Sequence, residues 1–180
     1  MKKTPLFAIA ICLFTIPSAL AQTNVRHTRP DPEMQKMVRE VSAKNIENTI
    51  RKLVSFGTRN TLSEQNDPVR GIGAARDWIY GEFKQISANC SNCLEVEKQT
   101  FLQAAIPPPR GRVPAATNLT NVVATLRGTT DPERVYVVSG HYDSMCTSPT
   151  DAKCDAPGAN DDASGTAAVI ELARIMSKHK

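Results

Sequence analysis

The sequence predicts a three-layer α/β domain, in which helices cover both faces of a mixed, mainly parallel sheet. Two early segments carry apolar residues at three- and four-residue steps, which is typical of amphipathic helices that pack on a core. Residues 135–138 (Val-Tyr-Val-Val) form a continuous apolar run, as expected for a strand that is buried on both faces. A third helical pattern follows this run, and helices that alternate with buried strands indicate the α/β class.

The first residues follow a different plan from the rest of the chain. Two lysines open the sequence, an apolar run covers residues 6–16, and a small-x-small pattern ends at Ala21. These features predict a secretory signal peptide over residues 1–21, and therefore a secreted or periplasmic protein. A membrane span needs about 20 apolar residues, whereas this run is shorter and is flanked by Pro5 and Pro17. We therefore expect no membrane association after cleavage.

The chain as a whole has the composition of a soluble globular protein. The 180 residues are 41% hydrophobic and 22% charged, which suits one domain of ordinary size. The formal net charge is +4, and the predicted leader contributes two lysines and no acidic residue, which leaves +2 on the mature chain. The arginines are scattered rather than clustered, so no nucleic-acid partner is expected.

Residues 22–33 are polar and contain two prolines, which predicts an extended leader before a folded domain over residues 34–180. Gly57 stands where a helix C-cap glycine belongs, and the proline-rich residues 104–114 are unsuited to a central strand. In chain order we expect helices over residues 34–54 and 69–86, strands over residues 94–102, 118–126 and 135–138, and a helix from Asp162 or Ser164 to Met176.

Four cysteines follow the predicted leader: Cys90, Cys93, Cys146 and Cys154. An even number of cysteines in an exported protein favours disulfides. We expect Cys90 to pair with Cys93 and Cys146 to pair with Cys154. Two alternatives remain for the first pair, which could form half of a structural zinc site if a second close pair existed, or a thioredoxin-like redox motif.

The residues that carry chemistry come directly after the predicted strand at residues 135–138. His141 and Asp143 are two positions apart, so their side chains would point the same way at the C-terminal end of that strand. Ligands gather at this end in open α/β sheets. A histidine there can bind a metal through one ring nitrogen while a carboxylate accepts the other N–H. A hydrogen-bonded loop explains the same pair, so the motif alone does not decide.

A second motif follows in residues 157–165 (Pro-Gly-Ala-Asn-Asp-Asp-Ala-Ser-Gly), which place two consecutive carboxylates at the start of a helix. Helix capping by Asp161, Asp162 or Ser164 explains one acid. It does not explain two acids joined by a cysteine-bearing loop to a preceding His-x-Asp. Carboxylate oxygen and imidazole nitrogen together suit zinc, and one carboxylate can bridge two ions.

The sequence resembles the M28 family of zinc peptidases, which includes secreted leucyl-type aminopeptidases of bacteria. The resemblance rests on residues 138–144 (Val-Ser-Gly-His-Tyr-Asp-Ser), on residues 157–165 and on the helical pattern of residues 167–176. Weaker similarity extends through residues 121–128 and 53–60. The resemblance implies a fold of the phosphatase/aminopeptidase type, of which the folded domain would be the N-terminal part.

By this resemblance, His141 corresponds to a ligand of one zinc ion and Asp161 to the carboxylate that bridges two zinc ions. Asp143 matches the catalytic acid that orients the histidine, and Asp162 matches a cap or backbone-geometry position. The resemblance implies a secreted zinc-dependent exopeptidase that removes N-terminal residues from peptide substrates through a metal-activated water. The family's remaining ligands and its glutamate general base would lie beyond Lys180, so the chain alone is expected to be inactive.

Two other functions are compatible with the same residues. A secreted module could keep the fold without catalysis, because fold does not imply function. A glutaminyl cyclase-like enzyme could use a related zinc-site motif. Neither the preferred N-terminal residue nor the oligomeric state follows from the sequence.

Overall fold

A computed structural model of the protein describes residues 31–179. Its regular elements are, in chain order, α1 (Pro32–Arg39), α2 (Ala43–Ser55), α3 (Ile72–Asn89), β1 (Leu94–Gln103), β2 (Thr117–Leu126), a π-helical turn (Ala159–Ala163) and α4 (Ser164–Met176). The predicted signal peptide and most of the predicted extended leader lie outside the described residues. No helix between residues 31 and 179 has both the length and the apolar character that crossing a bilayer requires.

The predicted helix over residues 34–54 is two helices in the structure. Helix α1 begins at Pro32, two residues earlier than predicted. The chain then leaves the helical path, and Ser42 caps α2 by accepting a hydrogen bond from the Asn45 N–H on its Oγ, at 3.2 Å. The Ser42 N–H donates to the buried Glu171 carboxylate at 2.7 Å. The apolar periodicity continues through the break, so only this capping serine marks it in the sequence.

The core lies where α2, α3 and α4 meet the sheet. Helix α3 lies three residues further along the chain than predicted, and α4 has the predicted bounds. The buried apolar cluster draws on every one of these elements, with Leu53, Phe56, Ala75, Ile79, Phe83, Leu94 and Ile170 among its members. Burial of these side chains is the main favourable term in folding, and it fixes the C-terminal end of α2 beside the candidate site.

The sheet consists of β1 and β2, which pair antiparallel along their whole length. Leu94 lies opposite Leu126 and Gln103 lies opposite Thr117. The two strands predicted here are confirmed to within one residue at each end. The described residues thus form a mixed helix and strand structure with one two-stranded antiparallel sheet. The mainly parallel, three-layer sheet is not formed within residues 31–179.

The prediction that residues 135–138 form a strand buried on both faces is wrong for this structure. The four residues form no strand, and their side chains are 76%, 81%, 83% and 58% exposed. A strand is buried on both faces only when neighbouring elements cover it, and no strand between residues 31 and 179 pairs with this segment. A short apolar run indicates that a segment is suited to burial, but it does not indicate what covers it.

Both expected disulfides are present in the structure. Cys90 and Cys93 close the turn between α3 and β1, with their Cα atoms 5.4 Å apart. Cys146 and Cys154 close part of the loop that precedes the π-helical turn, with their Cα atoms 6.5 Å apart. The second bridge restricts the chain between the two predicted metal-binding motifs.

The contrast between core and exposed run is testable by two apolar truncations. We expect Ile79→Ala, which removes a side chain that is 3% exposed, to lower the free energy of unfolding by about 2–5 kcal/mol. In the chain of 180 residues, Val137→Ala removes a side chain that is 83% exposed and should change it by less than about 0.5 kcal/mol. Urea titration of both variants measures this. An equally large loss in Val137→Ala would show that residues 135–138 are covered in solution.

Candidate metal centre

The main chain of His141 rests against the start of α4. A Cβ atom at Gly140 would lie 2.6 Å from the backbone of Gly165 and Thr166, so only glycine permits this approach. The Thr166 hydroxyl donates to the His141 carbonyl at 3.2 Å, and the His141 N–H donates to Asp162 Oδ2 at 3.1 Å. These contacts fix the distance between the His-x-Asp segment and the acidic turn that follows it in the chain.

Side chains of the extended segment alternate between the site and the core. His141 and Asp143 face the site, whereas Tyr142 turns toward the sheet, where its hydroxyl donates to the Thr120 carbonyl at 2.5 Å. Burial raises the pKa of Tyr142 to about 12, so the hydroxyl keeps the proton that this bond uses. The two-residue spacing therefore brings His141 and Asp143 together, as the sequence predicted.

The imidazole of His141 is held between two carboxylates. Its Nδ1 lies 3.1 Å from Asp143 Oδ1, and its Nε2 lies 3.1 Å from Asp161 Oδ1. The other oxygen of Asp143 accepts a hydrogen bond from the Thr61 hydroxyl at 2.9 Å. In the neutral ring, a proton on Nδ1 donates to Asp143 and leaves the Nε2 lone pair directed at Asp161. This is the tautomer that a metal-binding histidine requires.

The neighbouring carboxylates shift the protonation of this ring. Burial lowers the pKa of His141, but the charge of Asp143, the hydrogen bond to it and the charge of Asp162 raise the pKa, and the net result lies above its ordinary value. The ring therefore holds a second proton more tightly than an isolated imidazole does.

The two adjacent acids of the π-helical turn have different surroundings. Asp162 is a cap, because its Oδ1 accepts the Gly165 N–H at 2.9 Å while its Oδ2 accepts the His141 N–H. The Asp161 side chain is 85% exposed, and its Oδ1 faces the imidazole. Non-helical backbone angles at both residues, with φ of −126° and −131°, turn the two carboxylates in different directions. Asp161 is thus available to an ion and Asp162 is committed to the backbone.

A buried arginine connects the segments that form the site. Arg59 has no exposed surface, and its guanidinium donates to four main-chain carbonyls. Nε donates to Tyr142 at 2.7 Å, Nη1 to Leu53 at 2.9 Å and to Pro157 at 2.8 Å, and Nη2 to Gly158 at 3.0 Å. One side chain therefore joins the end of α2, the His-x-Asp segment and the loop before the π-helical turn.

The charge of Arg59 is stabilised by dipoles rather than by a paired carboxylate. Burial lowers the pKa of Arg59, and the nearby charge of Asp143 opposes that effect. An arginine stays protonated under these conditions. The sequence did not predict a role for Arg59. The available signal was its position in a Gly-Thr-Arg-Asn loop just after a helix. An arginine so close to core residues needs hydrogen-bond acceptors if it is buried.

The predicted metal ligands meet, but they are few within the described residues. Between residues 31 and 179, no group of three or more histidine, cysteine, aspartate or glutamate side chains is arranged to hold a metal ion. The pair formed by His141 and Asp161 borders a small open cavity of about 140 Å³, which Asp143 and Arg112 also line. The structure thus places His141 Nε2 and Asp161 Oδ1 3.1 Å apart beside an accessible space.

Several fungal proteins are similar to most of this chain. A protein of Leptosphaeria maculans named probable zinc metalloprotease is 53% identical over 151 residues, which is 84% of this chain and 34% of that protein. Proteins with the same name from Pyrenophora teres f. teres and Pyricularia oryzae are 51% and 48% identical over the same share of this chain, and 30% and 29% of their own lengths are covered. The chain therefore spans about a third of the length of these relatives.

The model of peptidase family M28 matches residues 121–180. This segment of the chain is similar to peptidase family M28. The matched segment contains His141, Asp143 and Asp161, so the three residues that the sequence singled out lie in the part of the chain that carries the M28 similarity.

The role of Arg59 is testable through stability. We expect Arg59→Met to lower the free energy of unfolding by at least about 3 kcal/mol, because several buried carbonyls lose their donor at roughly 1–3 kcal/mol each. Arg127→Met is the matched control, since that guanidinium is 79% exposed and pairs with Glu95 on the surface. It should change stability by less than about 1 kcal/mol. Equal effects in urea titrations of the two variants would contradict the assigned role of Arg59.

Proposed function

We propose that this chain supplies a histidine and a bridging carboxylate to the two-zinc site of a secreted M28 exopeptidase that removes N-terminal residues from peptides. One observation supports this most directly: His141 Nε2 and Asp161 Oδ1 converge to 3.1 Å while Asp143 holds the opposite ring nitrogen. Similarity to peptidase family M28 and to proteins named probable zinc metalloprotease supports the choice of zinc and of peptide substrates.

The two ligand atoms fit a zinc ion. Zinc lies about 2.0–2.2 Å from nitrogen and oxygen ligands in a tetrahedral arrangement, so two of its ligand atoms are separated by about 3.3 Å. The observed separation of 3.1 Å is close to this value. Calcium is a hard ion that takes about six to eight oxygen ligands, so a calcium site would not use an imidazole in this way. The donor set and its spacing therefore favour zinc.

Each residue would have a separate task in that site. His141 would hold zinc through its Nε2, and Asp161 would hold it through its carboxylate. Asp143 would retain the proton on Nδ1 and so keep the imidazole basic and correctly oriented. Bound zinc would polarise the scissile carbonyl, lower the pKa of a water molecule and offer a position for the free amine of the substrate. The general base and the remaining ligands would come from outside residues 31–179.

The exposed run at residues 135–138 fits the same proposal. In the full-length protein it would be a central strand of a mixed, mainly parallel sheet with helices on both faces. Its composition of valine and tyrosine supports this, because these residues favour strands, and no element between residues 31 and 179 already covers it. The relatives extend well beyond the matched segment, which leaves ample chain for the covering strands.

Secretion is also part of the proposal. Two disulfides join all four cysteines that follow residue 21, and disulfides persist in oxidising compartments. The tripartite leader over residues 1–21 supports the same conclusion.

The assigned roles predict different zinc contents in three variants of the full-length protein. His141→Ala and Asp161→Asn should lose zinc and activity together, because each removes a ligand. Asp143→Asn should retain most of the zinc and weaken affinity or turnover by about 10- to 100-fold, because it acts through the imidazole. Asp155→Asn is the matched control, since that carboxylate is exposed and pairs with Arg70. Equal zinc content by atomic emission in the three site variants would contradict these roles.

A further prediction concerns the chain without its predicted signal peptide. Purified residues 22–180 should release no chromogenic group from aminoacyl substrates with added zinc, and calorimetry should detect only weak zinc binding. A catalytic zinc normally takes three protein ligands, whereas residues 31–179 bring two together. Stoichiometric tight binding of two zinc ions would overturn this distribution of ligands. Weak zinc binding that persists in the full-length protein would instead favour a non-catalytic module.

A further inference from the structure

A second cavity, larger than the one beside His141 and Asp161, lies directly beside the candidate metal centre. Its volume is about 270 Å³, and it shares Asp143 and Arg112 with the smaller cavity that borders His141 and Asp161. A substrate bound with its reacting group at His141 and Asp161 would extend along Asp143 into this larger space. The residues that line this cavity would therefore help to determine which substrates fit.

Most polar side chains of the cavity wall already have partners within the protein. The Thr61 hydroxyl donates to Asp143, and the Asn60 amide donates to the Pro149 carbonyl at 3.1 Å. The Ser144 hydroxyl donates to the Ala156 carbonyl at 2.6 Å. These groups shape the wall, but their hydrogen-bonding capacity is largely used.

Arg112 differs from these groups. Its Nη1 contacts the Met145 thioether at 3.1 Å, which is a weak acceptor. Within residues 31–179, no carboxylate lies within ion-pair distance of its guanidinium, so its charge has no partner there. The side chain lines both cavities and presents planar donors that match a carboxylate.

The backbone that carries Arg112 is held in place. Ile106 and Val113 exchange two backbone hydrogen bonds, at 2.7 and 3.1 Å, and so close the loop between them. A Cβ atom at Gly111 would lie 2.6 Å from Ile106, so the backbone next to Arg112 packs closely against the base of the loop. Arg112 therefore projects from a closed turn toward the cavity.

We propose that Arg112 is a specificity-determining residue that binds a carboxylate of the peptide substrate. The inference rests on the proposed function, because Asp161 repels an anion unless zinc neutralises it, while Asp143 is already shared between His141 and Thr61. The remaining wall includes Leu62, Val113 and Pro149, which suits the methylene stem of a substrate side chain. The carboxylate could belong to an acidic N-terminal residue or to the C-terminus of a short peptide.

The test compares Arg112→Gln with Arg110→Gln in the full-length protein. Arg110 lies in the same loop and is exposed, but it lines neither cavity. The control therefore removes the same charge without changing the cavity wall. Melting temperatures of both variants should match that of the parent protein. Glutamyl and glutaminyl 4-nitroanilides differ only in the side-chain charge, and Ala-Ala and Ala-Ala amide differ only in the terminal carboxylate.

We expect the parent protein and Arg110→Gln to prefer the charged member of one pair by about 10- to 100-fold in kcat/KM, through KM, and Arg112→Gln to lose that preference. The pair that responds identifies the source of the carboxylate. Equal preferences in the two variants, or no preference for charge in the parent protein, would overturn the proposal while leaving peptidase activity established.

A binding measurement separates this proposal from the proposed function. Glutamate and glutamine are titrated into the protein by NMR, with zinc present and without turnover. Tighter binding of glutamate that Arg112→Gln abolishes and Arg110→Gln preserves would support the carboxylate site even if no peptide were hydrolysed. Where no peptide is hydrolysed, Ala-Ala and Ala-Ala amide are titrated in the same way, and equal binding within both pairs in the parent protein would overturn the proposal.

Discussion

The buried guanidinium of Arg59 is the interaction on which the geometry of the candidate metal centre depends. It donates to carbonyls from the end of α2, from the segment that carries His141 and from the loop that leads to Asp161. A buried charge is costly unless its donors are satisfied, and four carbonyls satisfy this one in the directions that a planar fork offers. The core holds α2 in place. Arg59 joins the end of α2 to the segment that carries His141 and to the loop before Asp161, and so fixes these two segments relative to the core.

The choice of carbonyls as partners has a chemical consequence. A guanidinium that formed bidentate ion pairs would have occupied the carboxylates nearby. Because Arg59 uses main-chain oxygens instead, Asp143 is free to hold the imidazole, Asp162 is free to cap α4, and Asp161 keeps its oxygens exposed. The same region therefore contains a structural cation and carboxylates that remain available to a metal ion, and the two tasks do not compete.

The sequence predicted the parts of this site that depend on local spacing. His141 and Asp143 share a face because alternate residues of an extended chain do so, and β1 and β2 were recognisable from their own alternation. The chemistry of the two motifs suggested a shared metal site, but the choice of Asp161 over Asp162 as the partner of His141 followed from family resemblance, since distant contacts leave no spacing in the sequence. Arg59 was missed for a related reason: its partners are carbonyls, which every residue carries. Residues 135–138 were assigned to a buried strand because composition reports apolar character and not the presence of a covering neighbour.

The protein's own contacts order the loop between the two predicted ligands, His141 and Asp161. Asp161 follows His141 by 20 positions, and closing a loop costs conformational entropy that grows with its length. The disulfide between Cys146 and Cys154 shortens the free chain. The Ala156 carbonyl accepts a hydrogen bond from the Ser144 hydroxyl at 2.6 Å, and the Ala156 N–H donates to the Gly57 carbonyl at 2.8 Å. An ion that binds to ligands already in position loses little of its affinity to ordering the chain. His141 and Asp161 thus lie within hydrogen-bond distance of each other in an ordered segment, which is the arrangement that the proposed zinc site requires.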